Sequence, residues 1–223
     1  MQKEIQTTAD GSHTIYLPEL DEHYHSTHGA IQESLHVYIN EGLSKLSKKE
    51  VSVLEIGFGT GLNAFLTFGY ALQNNIRVHY CSLEKFPLNE QEVSQLNYAS
   101  EIFPEYAEIF EQIHQAKWNS PEKINDSFVL EKLNVDLLEF DFPEKVAYDL
   151  VYYDAFAPNR QPEMWADPIL KKVAETVAEN GIWVTYCAKG AVRRALNSFG
   201  FAMERIPGPP GKKEILRGKK ASL

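Results

Sequence analysis

The residues that could do chemistry are acids and glycines placed where strands should end. Glu55 stands two residues before Gly57-Phe58-Gly59-Thr60-Gly61, directly after the apolar run Val51–Ile56. Glycines at a strand-to-helix junction let the chain turn tightly and let a ligand approach the backbone. The spacing is G-x-G-x-G; a dinucleotide fingerprint would need a third glycine at Leu62. Glu55 sharpens the reading, because a carboxylate there suits an ammonium or sulfonium group and repels a pyrophosphate. Glu84 closes the next apolar run and is placed to accept hydrogen bonds from both hydroxyls of a ribose. Asp136 follows the third run, a further acid at a strand end. Asp154 ends the fourth run, Tyr148-Asp149-Leu150-Val151-Tyr152-Tyr153, and leads into Ala155-Phe156-Ala157-Pro158.

These residues need a scaffold that brings strand ends together, and the pattern predicts one. An opening β-hairpin pairs 6–8 with 13–17 across Asp10-Gly11, and a helix over 29–43 buries Ile31, Leu35, Tyr38 and Ile39. Strands over 51–56, 76–83, 128–135, 148–154 and 182–187 then alternate with helices over 60–73, 88–97, 104–115, 168–178 and 191–199. The segment 123–125 pairs with the third strand across Asp126-Ser127. Apolar strands separated by helices imply a mostly parallel sheet covered on both faces. The last two strands, 201–206 and 214–217, are joined by too few residues for a helical crossover and must pair antiparallel. One domain over 1–223 is expected, with 1–50 as an extension packing over the ligand side of a core at 51–223.

Composition narrows the classes. Apolar residues make 43% of the chain and charged residues 24%, which disfavours wholesale disorder. The sequence holds neither a membrane-length apolar run nor a signal-peptide core behind Met1. Cys81 and Cys187 both lie in apolar stretches, as buried thiols do in a reducing compartment, so a cytoplasmic location is expected. The net charge of −9 is unevenly spread: from Lys189 onward nine basic residues face two acidic ones, whereas the first 188 residues carry 13 basic and 29 acidic. Such asymmetry fits either a phosphate-binding face or a solvated basic tail.

Larger blocks of sequence resemble a known family. The strand–E-x-G-x-G-x-G–helix unit looks like the S-adenosylmethionine site of class I methyltransferases, whose Rossmann-like fold also ends in an antiparallel hairpin. Asp154-Ala155-Phe156-Ala157-Pro158-Asn159-Arg160-Gln161-Pro162-Glu163-Met164-Trp165 resembles the signature of the tRNA 5-methylaminomethyl-2-thiouridine methyltransferases. That family comprises stand-alone MnmD and the amino-terminal half of bifunctional MnmC. Gly57–Asn63, Glu84-Lys85-Phe86-Pro87-Leu88, and Val192-Arg193-Arg194-Ala195-Leu196 with Gly200-Phe201 fit it in the same order.

The resemblance implies transfer of a methyl group from S-adenosyl-L-methionine to the amine of 5-aminomethyl-(2-thio)uridine at the wobble position of a tRNA anticodon loop. It implies cofactor contacts from Glu55, Gly57, Gly59, Gly61, Asn63, Glu84, Lys85 and Asp136, and a catalytic Asp154. Phe156, Pro158, Trp165 and Tyr24 are candidates around the base; Lys189, Arg193, Arg194, Lys212 and Lys213 are candidates for the phosphates. The bifunctional relatives continue into an FAD-dependent oxidase half, so no FAD is expected here. A lysine-like amine is protonated at neutral pH, and freeing its lone pair costs up to roughly 4–5 kcal/mol. Holding that lone pair in line with the S–CH3 bond is the larger expected contribution.

Other readings carry specific objections. His23-Tyr24-His25-Ser26-Thr27-His28 has metal-like H-x-H-x-x-H spacing, yet lacks an aspartate before the last histidine, so no metal is expected. A nicotinamide-dependent dehydrogenase conflicts with Glu55 and Leu62. A non-catalytic RNA-binding module leaves the Asp154 loop without a task. A methyltransferase of another amine, such as a small metabolite, fits the same residues and stays open.

Overall fold

The structure is a computed structural model describing residues 2–222. The chain opens with β1 (Glu4–Thr7), β2 (His13–Leu17) and β3 (Glu22–His23), which form a small antiparallel sheet. Next comes α1 (Ala30–Ser34), which runs into a π-helical segment, Leu35–Asn40. The sequence reading expected one regular helix over 29–43. Val37, Tyr38 and Ile39 in the wider π turn are all buried.

The core alternates as anticipated: β4 (Glu50–Ile56), α2 (Leu62–Asn74), β5 (Arg77–Leu83), α3 (Glu90–Val93), α4 (Tyr98–Ile102), α5 (Ala107–Gln115), β6 (Ser120–Asn125), β7 (Phe128–Leu133), β8 (Tyr148–Tyr153), α6 (Asp167–Glu175), β9 (Val177–Thr185), α7 (Gly190–Ser198), β10 (Phe201–Pro207) and β11 (Glu214–Lys220). The expected helix over 88–97 is broken. Asn89 and Glu92 close a capping box around the single turn of α3, and α4 starts afresh at Tyr98. Strand β9 begins at Val177, five residues earlier than expected, because Asn180 at φ +61° bulges the strand and lets it rejoin β8.

Eight strands form one sheet in the order β10-β11-β9-β8-β4-β5-β7-β6. The pairs β9·β8, β8·β4, β4·β5 and β5·β7 are parallel; β6·β7, β10·β11 and β11·β9 are antiparallel. The closing hairpin is therefore present, with a twist of topology: β11 inserts between β9 and β10. The two sheet faces are sealed by separate apolar clusters, one around Phe65, Phe68, Tyr80 and Phe128, the other around Tyr153, Trp183, Leu170 and Leu196. Both cysteines are buried free thiols. Among the described residues no helix is long and apolar enough to cross a membrane.

Candidate active site

Successive connections leave β4 toward β5 on one side and return through β8 on the other. A crevice thus opens at the carboxyl ends of β4 and β8, where open α/β sheets bind ligands. It is the mouth of a cavity of about 1040 Å³, lined by strand ends (Ile56, Leu83), by the loops after them, and by Tyr24, His25, Ser26 and Glu33 from the N-terminal segment. The loop after β8 is pinned to β4 by the Asp154 amide, which donates to the Ile56 carbonyl at 3.0 Å.

Two glycines shape the floor. Gly57 sits at φ +94°, and a Cβ there would stand 2.7 Å from the Asp154 carbonyl oxygen. Gly59 sits at φ +50° with the Tyr24 ring 3.1 Å from where its Cβ would be, so the backbone itself faces the cavity. Gly61 caps α2 and faces His114 instead of the cavity.

The acids divide by position. Glu84 lines the cavity and accepts from Gly59 N at 3.0 Å and Phe86 N at 2.8 Å, which fixes its carboxylate and leaves one lone pair per oxygen for a ligand. Asp136 lines the same wall; Lys85 donates to its Oδ2 at 2.7 Å and the Leu138 amide to its Oδ1 at 2.9 Å. The Lys85 ammonium holds the Asp136 carboxyl below the usual range. Glu55 lies elsewhere. It is 0% exposed, accepts from Ser82 Oγ at 2.6 Å on the adjacent strand, and does not line the cavity. Burial pushes its carboxyl up to about 8, so near neutral pH it is mostly uncharged, contrary to the cation contact expected of it.

Asp154 projects into the cavity at the tip of β8. Asn63, on the first turn of α2, donates to its Oδ2 at 2.9 Å. The buried Tyr38 hydroxyl faces the same carboxyl and favours its charged form, as Asn63 does. Burial outweighs both and raises Asp154 to about 6. The result is a carboxylate at neutral pH that is a far better proton acceptor than an exposed Asp.

The aromatic candidates separate. Phe156 lines the cavity and meets Tyr24 edge-on, centroids 5.2 Å apart. Trp165 is buried beneath them, its Nε1 donating to the Phe156 carbonyl at 2.8 Å, so it supports the loop and offers no open face. Pro158 is half-buried in the same loop, off the cavity wall. Lys189, Arg194 and Lys213 are exposed and Arg193 is half-buried, all outside the cavity. Lys212 turns inward. It pairs with Glu33 and stands 4.0 Å from the Tyr186 ring centroid. Tyr38, Glu33 and Tyr186 carried no sequence signal, since nothing in their local pattern distinguishes them from ordinary core or surface positions.

The histidine cluster does not converge. His23 Nε2 bonds Gln6 Oε1 at 2.9 Å, His28 lies against Gly211, and His25 is buried, which drives its imidazole down to about 4. Among the described residues no group of three or more His, Cys, Asp or Glu side chains could hold a metal ion.

Comparison with known proteins fits this geometry. A family described as S-adenosyl-L-methionine-dependent methyltransferase matches residues 93–221. The tRNA 5-methylaminomethyl-2-thiouridine biosynthesis bifunctional protein MnmC of Leptospira borgpetersenii is 32% identical over 213 residues, covering 89% of this chain and 32% of that protein. The protein of that name from Pseudomonas fluorescens is 33% identical over 216 residues, covering 89% and 32%. The chain thus spans about a third of the length of these relatives. The crystal structure of MNMC2 from Aquifex aeolicus superposes with a TM-score of 0.79 at 29% identity, covering 100% of this chain and 72% of the other.

Proposed function

Since the chain belongs to the S-adenosyl-L-methionine-dependent methyltransferases, we propose that it methylates the primary amine of 5-aminomethyl-(2-thio)uridine at the wobble position of tRNA. The methyl donor is S-adenosyl-L-methionine. The cavity suits it: bare glycine backbone forms the floor and fixed carboxylates line one wall, a surface that welcomes a ribose and a cation and repels phosphates. In this reading Gly57 and Gly59 would hold the methionine part, Glu84 the ribose hydroxyls, and Asp136 with Lys85 the adenine. Asn63 orients Asp154, and Glu55 acts from behind the wall. When bound, the donor supplies an electrophilic methyl group on a sulfonium.

Asp154 is the observation that carries the reaction. Its carboxylate would accept the hydrogens of the incoming amine and aim the lone pair at the methyl carbon. With the donor bound, its methyl group would pass from sulfur to that nitrogen, and Asp154 or a water would take the surplus proton. An ammonium near 10.4 facing a carboxyl near 6 leaves a gap worth up to about 6 kcal/mol. The burial that raises the acid also lowers the amine, so the gap closes from both sides.

The names of the relatives support tRNA as the substrate, and Phe156 with Tyr24 supplies aromatic surface for a splayed anticodon base. Lys189, Arg193, Arg194 and Lys213 would meet phosphates of the anticodon stem-loop. A tRNA substrate supports a cytoplasmic location. Residues 1–50 act as an extension over the cofactor and substrate side of a core at 51–223, all one domain; Arg160, in the loop after β8, donates to Asp21 Oδ2 at 2.9 Å and ties the two parts. Calorimetry tests the reading: S-adenosyl-L-methionine must bind, NAD must not, and an anticodon stem-loop must bind independently of either. Tight NAD binding would refute it.

A further inference from the structure

Glu33 and Lys212 form an ion pair that the methyl-transfer reading leaves unused. They are 179 positions apart, one on α1 and one in the turn between β10 and β11, and both line the cavity that holds Asp154. Their side chains are 8% and 29% exposed. Glu33 Oε1 takes the Lys212 ammonium and Oε2 accepts from the Ser26 amide at 2.8 Å. Lys212 rides on the Tyr186 ring, and the Tyr186 hydroxyl donates to the carbonyl of Ala155, the neighbour of Asp154, at 2.8 Å. Tyr186, Lys212 and Glu33 thus stand on the same cavity wall as Asp154.

A desolvated ion pair is a poor stabiliser, since well-packed apolar residues do as well or better. What it does offer is a donor beside an acceptor, each with capacity to spare. Lys212 has three N–H groups and spends one on Glu33; each Glu33 oxygen keeps a second lone pair. Uracil presents the complement. Its 5-substituent is flanked by the O4 acceptor, followed by the N3–H donor. With the aminomethyl group at Asp154, donor and acceptor match as O4 with the Lys212 ammonium and N3–H with the Glu33 carboxylate.

We propose that Lys212 and Glu33 read the O4/N3–H edge of the target base and so select a uridine over a cytidine. This rests on the tRNA-uridine reading above. Cytosine inverts both positions, putting an amino donor against Lys212 and a bare ring nitrogen against Glu33. Neither contact touches C2, so a sulfur or an oxygen at that carbon leaves the pair's contacts unchanged.

The test uses two anticodon stem-loop RNAs, identical but for 5-aminomethyluridine or 5-aminomethylcytidine at the wobble position. The chain should favour the uridine RNA by at least about 100-fold in kcat/KM, as buried polar groups left facing the wrong partner demand. Glu33→Gln/Lys212→Gln, made together so that no buried charge is stranded, should bring that ratio below about tenfold while calorimetry shows S-adenosyl-L-methionine still binding. Lys212→Arg, which keeps donor and charge, should retain the preference even where the double variant fails to fold. Equal methylation of both RNAs by the unaltered protein would overturn the inference and leave the methyltransferase reading standing. Methylation of neither would remove the tRNA reading, and the inference with it.

Discussion

The Asn63 side-chain amide donates to Asp154 Oδ2 at 2.9 Å, tying the first turn of α2 to the tip of β8. That one bond fixes the orientation of the acid relative to the glycine loop that precedes α2. Its geometry makes the chemistry of Asp154 separable from its packing.

Asp154→Asn preserves size and removes the proton acceptor. It should lower kcat for methyl transfer by about 10²–10⁴-fold while the Kd for S-adenosyl-L-methionine, read by calorimetry, changes little. Activity near the unaltered level with cofactor binding intact would take the carboxylate out of the reaction.

The pH dependence follows from burial raising Asp154 to about 6. The working form is the carboxylate, so its share is lost as pH falls through that value. The rate ratio of the unaltered enzyme to Asp154→Asn cancels ionisation of the substrate amine. That ratio should be flat above pH 7 and drop about tenfold per pH unit well below 6. A ratio independent of pH between 5 and 8 would contradict the assignment.

Glu55 makes a different kind of prediction. Its carboxyl is raised from 4.5 to about 8 by burial, so the folded state holds a proton that the unfolded chain releases. Stability contributed by the neutral form is complete below the unfolded value and is lost as pH rises toward 8. Glu55→Gln removes this dependence. Urea unfolding should show the variant gaining on the unaltered protein as pH rises from 5 to 8, by a few kcal/mol (an order of magnitude) at pH 9. A variant equally destabilised at every pH would show that Glu55 is charged in the fold.

Gly57→Ala should be costly. The backbone there has φ +94° and the new Cβ would meet a carbonyl oxygen at 2.7 Å, with no flexible side chain to give way. A loss of roughly 2 kcal/mol or more in urea unfolding is expected, with weakened cofactor binding. An unperturbed protein would mean that the loop is built differently.

Lys189, Arg193, Arg194 and Lys213 lie outside the cavity on the basic C-terminal part. Neutralising them together should weaken stem-loop binding and reduce the slope of log K against log salt by about 0.7–0.9 per lost phosphate contact. An unchanged slope would move the RNA-binding face elsewhere.

The glycine loop, Glu84, Asp136 and Asp154 were legible because strand-end position is itself a periodic signal: apolar runs stop where the loop begins. The parallel sheet was legible for the same reason. The insertion of β11 between β9 and β10 was not, because antiparallel hairpins read alike whichever strand faces the sheet. The π segment escaped notice because Val37, Tyr38 and Ile39 are ordinary helix residues, and only tertiary packing rewards burying all three. Glu55 was placed at the right strand end, but whether it faces a ligand or a neighbouring strand depends on Ser82, which the pattern does not announce. Glu33 and Lys212 meet across nearly the whole chain, a pairing no local window contains.

The most direct test is chemical. The protein is incubated with methyl-labelled S-adenosyl-L-methionine and tRNA from cells blocked before the methylation step, and the tRNA is digested and its nucleosides separated by mass. Label in 5-methylaminomethyl-(2-thio)uridine, formed far more slowly with Asp154→Asn, is the predicted result. Label in any other nucleoside, or in none while a small amine in the same assay is methylated, would contradict the account.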